Sequence, residues 1–395
     1  MLPPRFVRRL IFAPLVLLIT LAAIVLSPLL LLTALIATPS RSGRRRSLRL
    51  LWFGLSWLVM ESLALVACLG LWIASGFGGR LRSEASMDRH YALVRWFLAT
   101  LFRRAIKVFH LRVEIEEPEA TPEELGARLT RPVIVLSRHA GPGDSFLLVH
   151  HLLSLYRRKP RIVMKAALQL DPSLDVVINR LPHAFVRPRK SAPPPREADR
   201  TAAAEVESPV EGAVSAEIRR LASALGPVGA LVIFPEGGNF TPGRWRRGIA
   251  QLEAKRRFDE ARRARGMANL LPPRAGGAFA AIDAAPTADV IFVAHTGLDD
   301  LITVRDVWRA LPMEQVIKAK WWRVPAPQVP RERAEVVPWL FDWWERIDAW
   351  IEANRPVRPG APAPTQLPAA ASIGDPPSLV AGPVLAEPTP PEPLP

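Results

Sequence analysis

Residues 132–146 read PVIVLSRHAGPGDSF: a short β-branched run, a Gly-Pro-Gly turn, and the opening of a helical pattern. An apolar run with no polar alternation, bounded by turn residues, is the pattern of a strand covered on both faces. Two further runs of this kind follow, ALVIF at 230–234 and VIFV at 290–293. Apolar residues at helical spacing mark 146–156, 215–225 and 248–265 between and beside them. Strands alternating with helices predict an α/β fold whose sheet is largely parallel and flanked by helices, here across 81–355. In such sheets ligands gather beyond the carboxyl ends of the strands, so the residues after each run matter most.

Upstream of this domain the chain is apolar. Leu10 to Ala37 contains no charged residue. As one helix, this stretch of 28 would reach about 42 Å, against a hydrocarbon core of about 30 Å. Pro14 and Pro28 are expected to kink or divide it. A second apolar run, Leu50–Phe77, carries one interior charge, Glu61, for which a shallow, water-reached position is expected. ALIATPS offers a signal-peptidase-like cut, but the apolar region is too long and a second run follows directly. Residues 1–80 are therefore read as a retained, membrane-associated helical hairpin. Its loop carries Arg41, Arg44, Arg45, Arg46 and Arg49, and its flanks carry Arg5, Arg8, Arg9, Arg80, Arg82 and Arg89. That near-balance leaves two placements open: a hairpin that spans with both ends cytoplasmic, or one that lies in a single leaflet.

Composition supports the same division. The 395 residues hold 41 prolines, 49% hydrophobic residues and a net charge of +15, features that seldom share one core. Thirteen of the prolines fall in 356–395, read as a disordered Pro-rich tail, and 188–212 is read as a flexible insertion. Cys68 is the sole cysteine, which excludes an internal disulfide and a thiolate metal cluster. The positive charge fits nucleic acid or an anionic bilayer, and no nucleic-acid-binding motif accompanies it, so the bilayer surface is the expected partner.

Chemistry is concentrated after two of the strands. His139 and Asp144 are separated by Ala-Gly-Pro-Gly, a turn that can fold the carboxylate back onto the imidazole. An aspartate on one ring nitrogen fixes the tautomer and leaves the other nitrogen free as a base. In isolation His-x4-Asp more often means a loop histidine beside a helix-capping aspartate. After ALVIF comes PEGGNFTPGRW, which places Glu236, Gly237 and Gly238 at the second strand end, where bare backbone can approach an anion or a hydroxyl.

SRHAGPGD followed by FPEG, in this order and each after a strand, resembles the first and third motifs of the glycerophospholipid acyltransferase family. That family includes the 1-acylglycerol-3-phosphate and lysophospholipid acyltransferases. Lys165 in KAALQLDP and the basic FVRPRK (185–190) resemble its second block. GMANLLPPRAGGAFAAI (266–282), KAKWWRVPAPQVP (318–330) and PWLFDWWERIDAWI (338–351) are similar to the larger membrane lysophospholipid acyltransferases. The resemblance implies His139 as general base with Asp144 as its orienting partner. It implies Lys165, Arg187, Arg189, Glu236, Gly237 and Gly238 as acceptor-binding residues. Acyl-CoA or acyl carrier protein would supply the thioester, with no metal or prosthetic group. The acceptor would be a membrane lipid, and the catalytic domain would lie on the cytoplasmic face of the inner membrane.

The chain departs from the family pattern in three places. FPEGTR reads FPEGGN, without the arginine that commonly meets the acceptor phosphate, and Arg244, Arg246 and Arg247 are the nearby substitutes. FVRPR is one residue longer than the usual spacing, and the fourth motif reads VIFVAHTG without its proline. His295 in that motif is expected to be a strand-end histidine. Two other readings stay open: a non-catalytic membrane adaptor that binds anionic lipid, and a hydrolase acting on a thioester or lipid ester. The arginines of 244–265 are read as either a solvated face or a headgroup contact. The stripe Leu340, Trp343, Trp344, Ile347 and Ile351 is read as either core or interfacial.

Overall fold

The computed structural model describes residues 2–36, 46–117, 130–186, 209–299, 304–311, 313 and 316–356. Arg187, Arg189, Arg41, Arg44 and Arg45, the insertion as far as residue 208, and the tail from 357 lie outside the described residues.

The chain opens with helix α1 (Arg5–Val25) and α2 (Ser27–Ile36), followed by α3 (Arg46–Ala74) and α4 (Glu84–Phe109). Strand β1 (Arg112–Glu116) then leads to β2 (Val133–Ser137), α5 (Pro142–Ser154), β3 (Lys159–Lys165) and α6 (Pro172–Ile178). Next come β4 (Ala184–Val186), α7 (Pro209–Ser223), β5 (Gly229–Ile233), α8 (Pro242–Ala254), α9 (Phe258–Gly266) and α10 (Ala275–Ala284). The chain continues through β6 (Asp289–Thr296), α11 (Val304–Ala310) and β7 (Val316–Val324) to α12 (Arg333–Asn354).

The strands form one sheet in the order β1-β7-β6-β2-β5-β3-β4. Every pairing is parallel except β6 with β7. The three apolar runs legible in sequence are β2, β5 and β6, which are adjacent at the centre of the sheet. Ile134 and Leu136 face the helical layer that contains α7, α10 and α12, and Val133 and Val135 face α5. A strand covered on both faces must be apolar at every position, hence the unbroken runs. The outer strands β1 and β7 carry Lys, Arg and Glu at partly exposed positions and lack that signature.

Helix α12 covers the sheet. Leu340, Trp344, Ile347 and Ile351 are buried, and Trp343 stacks on Phe292 with ring centroids 4.5 Å apart. The tryptophan stripe is therefore core packing, which corrects its interfacial reading. The basic 248–265 segment divides into α8 and α9, because Arg256 adopts a left-handed φ of 57° between them. Arg257, just before α9, and Arg262, Arg263 and Arg265 on it pair with carboxylates.

The N-terminal helices pack into the same compact unit as the sheet. α1 and α3 are both long and apolar enough to cross a membrane by length and composition. Pro28, in the first turn of α2, ends the continuous helix of the uncharged stretch. The side chains of α1 and α2 are largely exposed, including Leu10, Leu18, Leu21, Val25, Leu29 and Ile36. α3, by contrast, lies along the α/β domain. Arg46 bonds the carbonyl of Leu311, Phe53 meets Phe109 at 4.6 Å, and Trp57 meets Phe146 edge-on at 6.2 Å. Further along the helix, Glu61 accepts from Ser173 N at 2.9 Å and Ser173 Oγ at 2.7 Å at the start of α6. Glu61 is thus buried and doubly hydrogen-bonded, in place of the water-reached position expected for it. Arg8 and Arg9 clamp the buried Asp175 of α6 at 2.7 and 3.2 Å. Over Arg46–Glu61, about 23 Å of helix, one side of α3 is committed to protein contacts.

Candidate active site

The parallel register aligns the carboxyl ends of β2, β5 and β6, which brings three distant segments together. After β2 the chain turns through Arg138, His139, Ala140 and Gly141 into α5. Asp144 sits in the first turn of α5 and folds back, accepting from Ala140 N at 2.6 Å and Gly141 N at 3.1 Å. It therefore closes the helix start from inside, as an acid favoured by the helix dipole. Both of its oxygens lie 3.1 Å from His139 Nδ1.

This geometry sets the tautomer. A carboxylate offers only acceptors, so the His139 proton sits on Nδ1 and Nε2 presents a lone pair. No described residue bonds Nε2. Burial alone would raise the Asp144 pKa, but the hydrogen bond from His139 and the neighbouring positive charges outweigh it and hold the carboxyl at about 2.

His295, near the end of β6, lies on the other side of Asp144. Its Nε2 is 3.6 Å from Asp144 Oδ2 and 3.3 Å from the Arg138 carbonyl, so its proton is on Nε2. Its Nδ1 is buried without a partner among the described residues. Burial and the nearby Arg138 charge push its pKa down to about 4, which makes it a neutral imidazole at physiological pH. Near neutral pH, hydrogen bonds therefore carry the depression of Asp144. Arg138 is itself buried, pairs with Asp299 at 2.6 Å and donates to the His295 carbonyl at 2.6 Å. The row Arg138, His295, Asp144, His139 is a continuous polar spine under the sheet ends.

Glu236 is buried, with both oxygens on backbone donors: His139 N at 2.8 Å and Leu271 N at 3.0 Å. Burial raises its pKa to about 7 against the lowering effect of Arg138 and the two N–H groups. Gly237 takes the left-handed region at φ 67°, which a side chain would strain. Arg244 Nη1 bonds the Asn239 carbonyl at 3.2 Å beside this turn. Arg247 bonds Gly243 within its own helix, and Arg246 is exposed on α8. Lys165 is exposed at the end of β3, two strands from β2. The 3-10 turn that follows Lys165 exposes Leu168 and Leu170 and touches α1 through Arg8 and Gln169 at 2.7 Å.

A cavity of about 410 Å³ lies between α5 and one face of the sheet. Val133, Val135, Ile291, Val293, Leu148 and Leu152 give it apolar walls, and Asp144 and His295 line one end. It reaches Val133 and Asp289, six residues before His295 on β6, a run of about 20 Å along the strand.

Sequence reasoning had no reason to select Arg138 or Asp299. Arg138 stands beside the histidine in sequence, but its burial and its ion pair with Asp299, 161 residues away, are tertiary facts.

No curated protein and no solved structure matches the chain. Residues 112–296 match the family model described as Acyltransferase, a span running from the start of β1 to the end of β6 and including Arg138, His139, Asp144, Glu236 and His295. That match supports an acyltransferase-family domain over residues 112–296.

Proposed function

We propose that the protein is a membrane-attached O-acyltransferase that moves a fatty acyl group from acyl-CoA, or from acyl carrier protein, to the free hydroxyl of a lysophospholipid such as 1-acylglycerol 3-phosphate. The observation that carries this reading is the His139–Asp144 pair, with Asp144 lining one end of a long apolar cavity. His139 Nε2 takes the proton of the acceptor hydroxyl as its oxygen bonds the thioester carbonyl carbon. The C–S bond then breaks, and the proton passes from His139 to the leaving thiolate, giving an ester and a free thiol. Asp144 keeps the ring in the productive tautomer and stabilises the transient imidazolium. The cavity receives the acyl chain, whose apolar burial favours binding. Lys165, Arg187, Arg189, Glu236, Gly237, Gly238, Arg244, Arg246 and Arg247 form the acceptor side in this reading, with Glu236 acting through the His139 backbone.

The exposed apolar faces of α1 and α2 seat the protein in one leaflet, since α3 is held against the α/β domain by Arg46, Trp57 and Glu61. The catalytic face lies on the cytoplasmic side of the inner membrane, where donor thioesters occur. The test is an assay of the purified full chain with labelled acyl-CoA and a panel of lysolipids. His139→Ala should lower transfer by about 10²–10⁴-fold. Equal turnover in both proteins would overturn the assignment of the base. Free fatty acid in place of acylated lipid would indicate a hydrolase.

A further inference from the structure

We infer that His295 is a positioning residue for the base: its buried imidazole holds the flank of Asp144 that His139 does not touch, and so keeps the carboxylate aligned on His139 Nδ1. This rests on the acyl-transfer reading, in which His139 is the base, and adds a second imidazole that acts on it through Asp144.

β6 places the ring. Ile291, Val293 and His295 alternate onto the face of the strand that lines the cavity, while Phe292 and Ala294 belong to the core under α12. The first two members of that row are apolar wall. The third is a histidine, 5% exposed, at the end of the cavity that Asp144 also lines. Arg138 N donates to the Val293 carbonyl at 3.3 Å, which carries the β2–β6 pairing past the strand end and sets His295 beside the catalytic turn.

Donors enclose Asp144 on several sides. The N–H groups of Ala140 and Gly141 meet Oδ2 at 2.6 and 3.1 Å, His139 Nδ1 lies 3.1 Å from both oxygens, and Ser145 Oγ donates to Oδ1 at 3.1 Å. His295 Nε2 bonds the Arg138 carbonyl at 3.3 Å and stands 3.6 Å from Oδ2, where its N–H dipole favours the carboxylate. One carboxylate is therefore flanked by two imidazoles, each presenting an N–H.

The second imidazole is anchored through Arg138. Arg138 Nη1 donates to the His295 carbonyl at 2.6 Å and pairs with Asp299 at 2.6 Å. Asp299 in turn accepts from Thr296 Oγ1 at 2.9 Å and Gly297 N at 3.0 Å. Packing alone does not account for a histidine at this position. Its Nδ1 is buried without a partner among the described residues, and a buried acceptor left unpaired destabilises a fold where leucine would not. His90, by comparison, is buried with both nitrogens engaged, by Ser86 and Arg180. What the ring contributes is its N–H beside Asp144. Without it, that flank of the carboxylate meets only the apolar cavity, and Asp144 gains freedom to turn away from His139.

The experiment compares wild type, His295→Leu and His295→Gln as the detergent-solubilised full chain. Leucine fills the space without an N–H, and glutamine returns an N–H close to the place of Nε2. Proton NMR of protein labelled with 15N-histidine follows the His139 Nδ1 proton, assigned by its loss in His139→Ala. Steady-state transfer gives kcat, both KM values and the acid limb of the kcat/KM profile. In His295→Leu the Nδ1 resonance should move or broaden, and kcat should fall about tenfold through misalignment, with both KM values unchanged. The acid limb should shift to higher pH, because Asp144 with one donor fewer is a stronger partner for protonated His139. The charged groups facing the two imidazoles are Arg138, Asp144, Glu236 and Asp299, and all are kept in both His295 variants. His295→Gln should hold the wild-type resonance and most of kcat. An unchanged resonance in His295→Leu would overturn the inference. So would equal losses of kcat in both variants with a wild-type acid limb, the pattern of a histidine that only packs. If wild type transfers no acyl group, the acyl-transfer reading falls, and the resonance alone decides whether His295 positions the pair.

Discussion

Glu236 Oε1 accepts the backbone N–H of His139 at 2.8 Å, joining the strand ends of β5 and β2 through a buried carboxylate. Its other oxygen holds Leu271 N, so one side chain positions His139 and the segment leading to Arg274 at once. In Glu236→Gln one acceptor becomes an amide donor facing an N–H. Removal of one charge-assisted hydrogen bond costs about 1.5–3 kcal/mol. kcat should fall, with the KM for donor little changed, in steady-state assays.

The same carboxyl gives a pH signature. Its folded pKa is raised from 4.5 to about 7, so its protonated form stabilises the fold fully below about pH 4.5, and that contribution is lost as pH rises through 7. Thermal unfolding of wild type relative to Glu236→Gln should therefore become less favourable to wild type between pH 4.5 and 7. A pH-independent difference would contradict it.

Asp144 behaves in the opposite sense. Its folded pKa is depressed from 3.8 to about 2, so its stabilisation is present above pH 3.8 and lost as pH falls through 2. Asp144→Asn should flatten the acid limb of the stability curve. It should also lower transfer by about 10² or more by releasing the His139 tautomer. Acid unfolding curves and turnover, measured on one preparation, check both.

The cavity makes chain length testable. Val133 lines its end remote from Asp144 and His295. Val133→Phe should shift preference toward shorter acyl thioesters, with rates for the shortest donors kept within about threefold because the reacting groups are untouched. A panel of thioesters of increasing length reads this directly, and an unchanged profile would remove the acyl chain from this cavity.

Glu61 ties α3 to α6 through Ser173. Glu61→Ala leaves a buried N–H and hydroxyl without their acceptor, a loss of about 2–4 kcal/mol. The thermal transition should drop accordingly, while co-sedimentation with vesicles, which depends on exposed α1 and α2, should persist.

Sequence alone determined the centre of the sheet. β2 and β5 are buried on both faces and β6 nearly so, and such burial requires the unbroken apolar runs that make them legible. It also exposed His139 and Asp144, because a helix-breaking turn of four residues leaves the pair little freedom to separate. The outer strands stayed hidden, since half-exposed positions admit Lys, Arg and Glu and blur the pattern. The tryptophan stripe of α12 could not be assigned to core or bilayer from its spacing, because helical periodicity is the same in either environment. Only the packing of Trp343 on Phe292 decided it. The placement of α3 against the α/β domain, the roles of Glu61 and Glu236, and the approach of His295 to Asp144 were likewise decided by tertiary structure. Each depends on contacts between segments tens to hundreds of residues apart, and local sequence carries no trace of a partner that distant.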